Sequence, residues 1–149
     1  MMKSIVIYFS TSGNTEKAAK LIAKETGSDI ERLQAKTAWP TNFDDLAALA
    51  KEQSENNIHP DITTDLDLSS YDKIYLGYPT WYEKPPMIID SFFEKFDLSD
   101  KTVIPFSTSG SSTFEITLPY IESMVKGSSI KLEEGFRANS ETEITEALA

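Results

Sequence analysis

The stretch that most constrains this chain is Ser10-Thr11-Ser12-Gly13-Asn14-Thr15. It follows an apolar run, Ile5-Val6-Ile7-Tyr8-Phe9, and leads directly into Glu16-Lys17-Ala18-Ala19-Lys20-Leu21-Ile22, which carries helical periodicity. A strand, a tight turn and a helix N-terminus gather free backbone N–H groups around a point where an anion can sit. Ser10, Thr11, Ser12, Thr15 and Asn14 add side-chain donors, and Gly13 lets the backbone turn left-handed or approach a ligand closely. No Lys or Arg lies within the turn, so a phosphate held there rests on N–H groups, hydroxyls and the helix dipole. The hexapeptide alone reads equally well as a hydroxyl-rich turn with a helix cap, and the remainder of the chain has to decide.

The 149 residues suit a single domain spanning 1–149, long enough to bury a substantial core. Cysteine is absent, which excludes disulfides, thiolate nucleophiles and thiol-based zinc or redox chemistry. The one histidine, His59, lies in a polar stretch before Pro60 and reads as a surface-loop residue rather than part of a serine-hydrolase triad. A net charge of −10 argues against nucleic acid and anionic membrane and suits a basic protein partner or plain solubility. Met1-Met2-Lys3-Ser4 enters a strand without a leader pattern and no run approaches a membrane span, so the expected location is cytoplasmic.

Taken in order, Lys3–Phe9 reads as a strand buried on both faces, and the first helix runs from about Asn14 to Thr26 with Gly27 as its stop. Asp29–Leu33 is a more polar strand, suited to a sheet edge. Asn42 or Thr41 caps a second helix, Phe43–Gln53, whose Phe43, Leu46, Ala47, Leu49 and Ala50 mark one face. Residues 55–72 show no regular pattern. Lys73–Tyr78 and Lys101–Phe106 are the next strands, with a helix between them from Pro85-Pro86 to about Phe96. A helix starting at Ser112 or Thr113, a last strand Ile130–Phe136 and a terminal helix Glu141–Ala149 complete the set. Five strands alternating with helices argue for an α/β fold with a parallel sheet, helices on both faces and strand order 2-1-3-4-5.

Ligands of such sheets bind beyond the carboxyl ends of the strands, where strand order reverses. Three loops there are chemically distinctive. Ser10–Thr15 is the anion cradle. Pro79-Thr80-Trp81-Tyr82-Glu83-Lys84 offers two large aromatic rings framed by prolines. Ser107-Thr108-Ser109-Gly110-Ser111 offers small side chains and backbone N–H groups. Each has a plain structural alternative: rim aromatics for the second, a flexible turn for the third, which also rivals the first as an anion site. Together, a phosphate site, a flat-ring site and a hydrogen-bonding edge describe flavin mononucleotide (FMN).

On these residues the chain resembles the flavodoxin family over nearly its whole length. Tyr8–Thr15 is similar to the family's phosphate-binding signature, Gly77–Tyr82 to its first ring-binding loop, and Pro105–Gly110 to the second ring loop of the branch with a Thr-Ser-Gly turn. The resemblance implies a flavodoxin-like three-layer fold, FMN as cofactor and flavin redox chemistry. It implies Ser10–Thr15, Pro79–Tyr82 and Ser107–Ser111 as the cofactor-binding residues, with no separate catalytic residue and no metal. Two features depart from electron-carrier flavodoxins: Ser107–Thr113 holds no aromatic to cover a flavin face, and Ser128–Arg137 is too short for the long-chain insertion. The leading expectation is an electron carrier that shuttles electrons to redox partner proteins with a basic docking surface. The alternative is a small FMN-dependent NAD(P)H- or quinone-linked reductase whose substrate stacks on an open flavin face. A phospho-acceptor receiver domain is excluded, because the places for its acidic pair and its aspartate hold Phe9-Ser10 and Gly77-Tyr78. A P-loop nucleotidase lacks its Gly-Lys-Ser/Thr. Oligomeric state stays open.

Overall fold

The computed structural model describes residues 3–149; Met1 and Met2, on which part of the leader reading rests, lie outside the described residues. The chain runs β1 (Ser4–Tyr8), α1 (Asn14–Thr26), β2 (Asp29–Arg32), α2 (Phe43–Glu55), β3 (Lys73–Pro79), α3 (Met87–Lys95), β4 (Thr102–Thr108), a single 3₁₀ turn (Phe114–Ile116), α4 (Leu118–Val125), β5 (Lys131–Leu132), β6 (Phe136–Arg137) and α5 (Glu141–Leu148). The sheet is parallel with order β2-β1-β3-β4-β5, and β6 also pairs with β4. Helix α2 takes in Glu55, and residues 56–72 contribute only an isolated bridge, Ala35 to Ile62.

Strand alternation divides the core into two layers. Ile5, Ile7 and Phe9 of the first strand segment, with Ile74, Leu76 and Tyr78, face Ile88, Ile89 and Phe92 of α3 and Ile121 of α4. Val6, Tyr8, Tyr75, Ile104 and Phe106 face Ala18, Ala19 and Ile22 of α1 and Ile144 of α5. These strands show no polar face because both faces are covered. Gly77 is required by packing: a Cβ there would lie 2.2 Å from the Phe106 ring.

The fifth position of the sheet is filled by two short strands rather than one continuous Ile130–Phe136. The odd-numbered residues of β4 turn their polar groups toward this edge, since Glu133 N–H bonds the Val103 carbonyl and Ala138 N–H bonds the Ser107 carbonyl. Pro105, between them, has no N–H to give. The edge strand accordingly takes four steps, Leu132 to Phe136, while β4 takes three, Val103 to Phe106. The extra residue bulges out at the missing donor. Gly135 fits there because a Cβ would meet the Pro105 carbonyl oxygen at 2.3 Å.

Asn42 caps α2, its side chain accepting from Asp45 N–H. Phe43, expected on the buried face of that helix, is 82% exposed. Ser112 and Thr113 precede the 3₁₀ turn, so α4 begins later than the expected helix.

Candidate functional site

The sheet register brings three loops to one edge. Tyr8 is level with Gly77, and Pro79 with Thr108. Phe9 N–H bonds the Gly77 carbonyl at 3.0 Å and Thr80 N–H bonds the Thr108 carbonyl at 2.8 Å, so each loop leaves the sheet tied to its neighbour.

In the first loop Gly13 adopts φ +93° and precedes α1 as its N-cap without supplying a side-chain cap. The first-turn N–H groups of Asn14, Thr15 and Glu16 therefore have no intrahelical partner. Ser10 is buried and its Oγ accepts from Gly13 N–H at 3.1 Å, which closes the turn. Thr11 is half-buried, while Ser12, Gly13 and Asn14 are exposed. Thr15 is buried, and its hydroxyl contacts the Thr108 hydroxyl at 2.7 Å.

The second loop is a two-residue hairpin turn. Trp81 and Lys84 exchange N–H to carbonyl bonds at 2.9 and 3.0 Å, and the two residues between them, Tyr82 and Glu83, both take positive φ, 51° and 63°. Such turns favour glycine or asparagine there, so two ordinary residues place strain beside the candidate site. The two aromatic residues have different surroundings. Trp81 is half-buried, packed edge-on against Phe9 and Trp39 with ring centroids 5.5 and 5.6 Å away. Tyr82 is 56% exposed and its hydroxyl donates to the Ala47 carbonyl of α2.

Of the third loop, Ser107 and Thr108 belong to the end of β4 and are buried; the turn proper starts at Ser109. Ser109 is held by Asn139, whose amide accepts from Ser109 N–H and donates to the Ser109 carbonyl, both at 2.9 Å. Gly110 and Ser111 are exposed. Phe114, the first aromatic beyond the loop, is buried against Gly135 and does not reach the edge where the loops meet. Thr108 is the knot of the arrangement: its hydroxyl meets the first loop and its carbonyl the second.

Two hydroxyls at this edge, Thr80 Oγ1 and Ser107 Oγ, are buried without a hydrogen-bond partner. Native proteins leave few such groups, and each calls for an explanation, a functional role or a bound water or ion among them.

Four residues of this neighbourhood have roles that escape sequence reasoning. Arg32, at the end of β2, donates to the Ser10 carbonyl and pairs with Glu16 at 3.3 Å, so a cation does stand at the outer wall of the turn. Tyr8 shares Glu16 through a 3.0 Å bond; burial, then that carboxylate, raises the phenol's pKa. Trp39 and Asn139 are the others, one backing Trp81 and one clamping Ser109. His59 is half-buried, its ring nitrogens 2.7 Å from Glu94 and 3.0 Å from Asn57, with no serine among these partners.

The flavodoxin family model matches residues 3–147. The chain belongs to the flavodoxin family. It is 31% identical to flavodoxin 1 of Escherichia coli strain K12 over 105 residues, 68% of this chain and 46% of that protein. The chain thus spans about half the length of the curated flavodoxins it matches. A candidate flavoprotein of Bacteroides uniformis superposes with TM-score 0.86 at 29% identity, covering 99% of this chain and 97% of that one. A flavoprotein of Lactobacillus acidophilus, solved in complex with FMN, superposes with TM-score 0.82 at 22% identity over 95% of this chain and 97% of its own, a likeness of fold. Within this flavodoxin the three loops, joined through Thr108, form one continuous edge. Among the described residues no helix is long and apolar enough to cross a membrane.

Proposed function

We propose that this flavodoxin is a single unit that binds FMN at the joined loop edge and carries electrons between redox proteins. The observation that carries the reading is the tie between the loops. Thr15 at the α1 N-terminus and Thr80 in the aromatic loop both bond Thr108, so a phosphate site and a ring site are held at fixed separation. The residues fit the group. First-turn N–H groups, the Ser12 hydroxyl and the Asn14 amide are open to a phosphate, and Gly13 presents no Cβ to it. The unpartnered hydroxyls of Thr80 and Ser107 lie at the base of the two loops assigned to the ring.

Bound FMN supplies the one- and two-electron chemistry. Ser10–Thr15 anchor it, with Arg32 bracing the Ser10 carbonyl from outside. Pro79–Tyr82 and Ser107–Ser111 flank the ring, Trp81 being stiffened by Phe9 and Trp39. Glu83 and the acidic surface place negative charge near the edge, which opposes electron addition and favours a partner with a basic face.

One observation favours the reductase as a second reading. No aromatic of 107–113 covers the ring and Phe114 is buried elsewhere, which leaves room for a substrate on that side.

The deciding experiment is a visible spectrum of the purified protein, before and after addition of FMN and dialysis, followed by slow reduction. Flavin bands that stay with the protein and take up electrons in two separated steps support the carrier. Direct reduction by NAD(P)H with turnover on a quinone supports the reductase. A protein that stays colourless after FMN is added overturns both.

A further inference from the structure

Helix α1 opens on an electrostatic conflict. Its first-turn N–H groups and positive dipole end suit a phosphate, but they suit a carboxylate equally, and Glu16 stands in that first turn. One turn of helix rises ~5.4 Å, so the Glu16 carboxylate lies within a Debye length, ~10 Å at 0.1 M salt, of an anion held at Ser10–Thr15. Left free, it would compete for the N–H groups and repel a phosphate.

The sheet draws that carboxylate aside. The β1–β2 register sets Arg32 level with Tyr8, and both side chains reach Glu16. The Tyr8 hydroxyl donates to Glu16 Oε2 at 3.0 Å, and Arg32 Nη1 pairs with the same oxygen at 3.3 Å. The phenol keeps its proton for that bond, because burial and then the carboxylate raise its pKa. Lys20, one turn along the helix, stands 3.8 Å from Glu16 Oε1. The other arm of the guanidinium, Nη2, donates to the Ser10 carbonyl at 2.5 Å. Arg32 thus holds the first residue of the turn and the residue just after its last. A planar fork can serve both acceptors at once, which a lysine ammonium on a flexible stem cannot do as well.

We infer that Arg32 is a positioning residue for the flavin phosphate: by pairing with Glu16 it keeps that carboxylate out of the cradle. The inference rests on the phosphate-site reading of Ser10–Thr15. Arg32, Glu16 and Tyr8 all lie outside the three loops assigned to FMN, so the turn takes a phosphate without a cation of its own because a neighbouring strand supplies one to its rival.

The test is a double-mutant cycle on flavin-free protein, titrated with FMN and read by quenching of flavin fluorescence. Arg32 is exposed, and glutamine at 16 still offers Tyr8 an acceptor, so the variants should fold; urea denaturation of each checks this. Arg32→Gln weakens FMN about tenfold at low salt, the size of one charge-assisted bond, and the loss shrinks at ~1 M salt. Glu16→Gln changes FMN affinity less than about twofold in the wild type, where the carboxylate is already withdrawn, and restores at least about fivefold in the Arg32→Gln background. Arg32→Lys, which keeps the charge but not the fork, falls between wild type and Arg32→Gln. Equal FMN affinity in wild type and Arg32→Gln overturns the inference. So does a Glu16→Gln effect of the same size in both backgrounds, since the two residues would then act independently. A loss in Arg32→Lys equal to that in Arg32→Gln also overturns it and leaves Arg32 a structural brace of the Ser10 carbonyl. In each of these cases wild-type binding of FMN keeps the cofactor reading standing, whereas a wild type that does not bind FMN removes both.

Discussion

Gly13 and Thr15 do different work in the same turn. Gly13 has open space where a Cβ would stand, so a substitution there costs backbone strain at φ +93° rather than a clash. Gly13→Ala should therefore fold, with a penalty of about 1–2 kcal/mol for the left-handed backbone. Part of that strain is relieved by moving the N–H groups of the cradle. The expected outcome is a roughly tenfold weaker affinity for FMN, measured by fluorescence titration; unchanged affinity would remove the turn from the phosphate site. Thr15 acts through the sheet. Thr15→Val keeps the shape, deletes the 2.7 Å contact and leaves the Thr108 hydroxyl buried without that partner. Loss of about 1–3 kcal/mol in urea denaturation is expected. A valine variant as stable as wild type would mean that the threonine pair does not hold the loops together.

At the scale of elements, the Trp81–Lys84 turn carries two non-glycine residues in the left-handed region. Glu83→Gly places the favoured residue at the second central position of a turn of this kind and should raise stability by about 1 kcal/mol. A thermal melt checks it, and a lower melting temperature would show that the Glu83 side chain, not the backbone, matters there. Elements whose cause is local were legible in the sequence. Strand β1 follows from its apolar run, the end of α1 from Gly27, the start of α2 from Asn42, and the polar composition of β2 from its place at the sheet edge. Three things were not legible because their cause is distant in the chain. The break between β5 and β6 depends on Pro105 standing opposite, which is visible only once the neighbour strand is known. The exposure of Phe43 could not be read from helical spacing, which gives a face but not what covers it. Trp81 reads as a free ring until Trp39, from an unpatterned connection, is found beside it. In the site, the hydroxyl-rich turns announced themselves by composition. Arg32 did not, because an arginine at the end of an edge strand looks like ordinary solvated surface.

For the whole molecule, charge is the variable to test, first inside and then outside. Asp90 is half-buried on α3, faced by His59, Glu94 and Lys84, and burial raises its pKa more than His59 and Lys84 lower it. Between the unfolded and the raised folded pKa the folded state binds more protons than the unfolded chain, so stability falls as pH rises through that window. Asp90→Asn removes this decline. The variant should be the more stable protein at neutral pH, with its advantage shrinking as pH falls and Asp90 of the wild type takes up its proton. Denaturation at a series of pH values checks the trend, and a variant less stable than wild type at neutral pH would show that attraction to His59 outweighs burial.

On the outside, 24 acidic residues against 14 basic ones give a field that any electron acceptor must cross. A cationic acceptor is concentrated at such a surface and an anionic one is kept away, and both effects decay as the Debye length shrinks from ~10 Å at 0.1 M salt to ~3 Å at 1 M. Oxidation of the reduced FMN-loaded protein by a hexaammineruthenium(III) cation should therefore slow as salt is added. Oxidation by a hexacyanoferrate(III) anion should accelerate over the same range. The sign of the two slopes is set by charge alone, whereas the rates at low salt also depend on driving force. If the excess acid lies far from the edge where Thr15, Thr80 and Thr108 join the loops, both slopes flatten, and a basic docking partner loses its physical basis. Opposite slopes would put the field at the site of electron exit and leave the choice of partner to a complementary basic face.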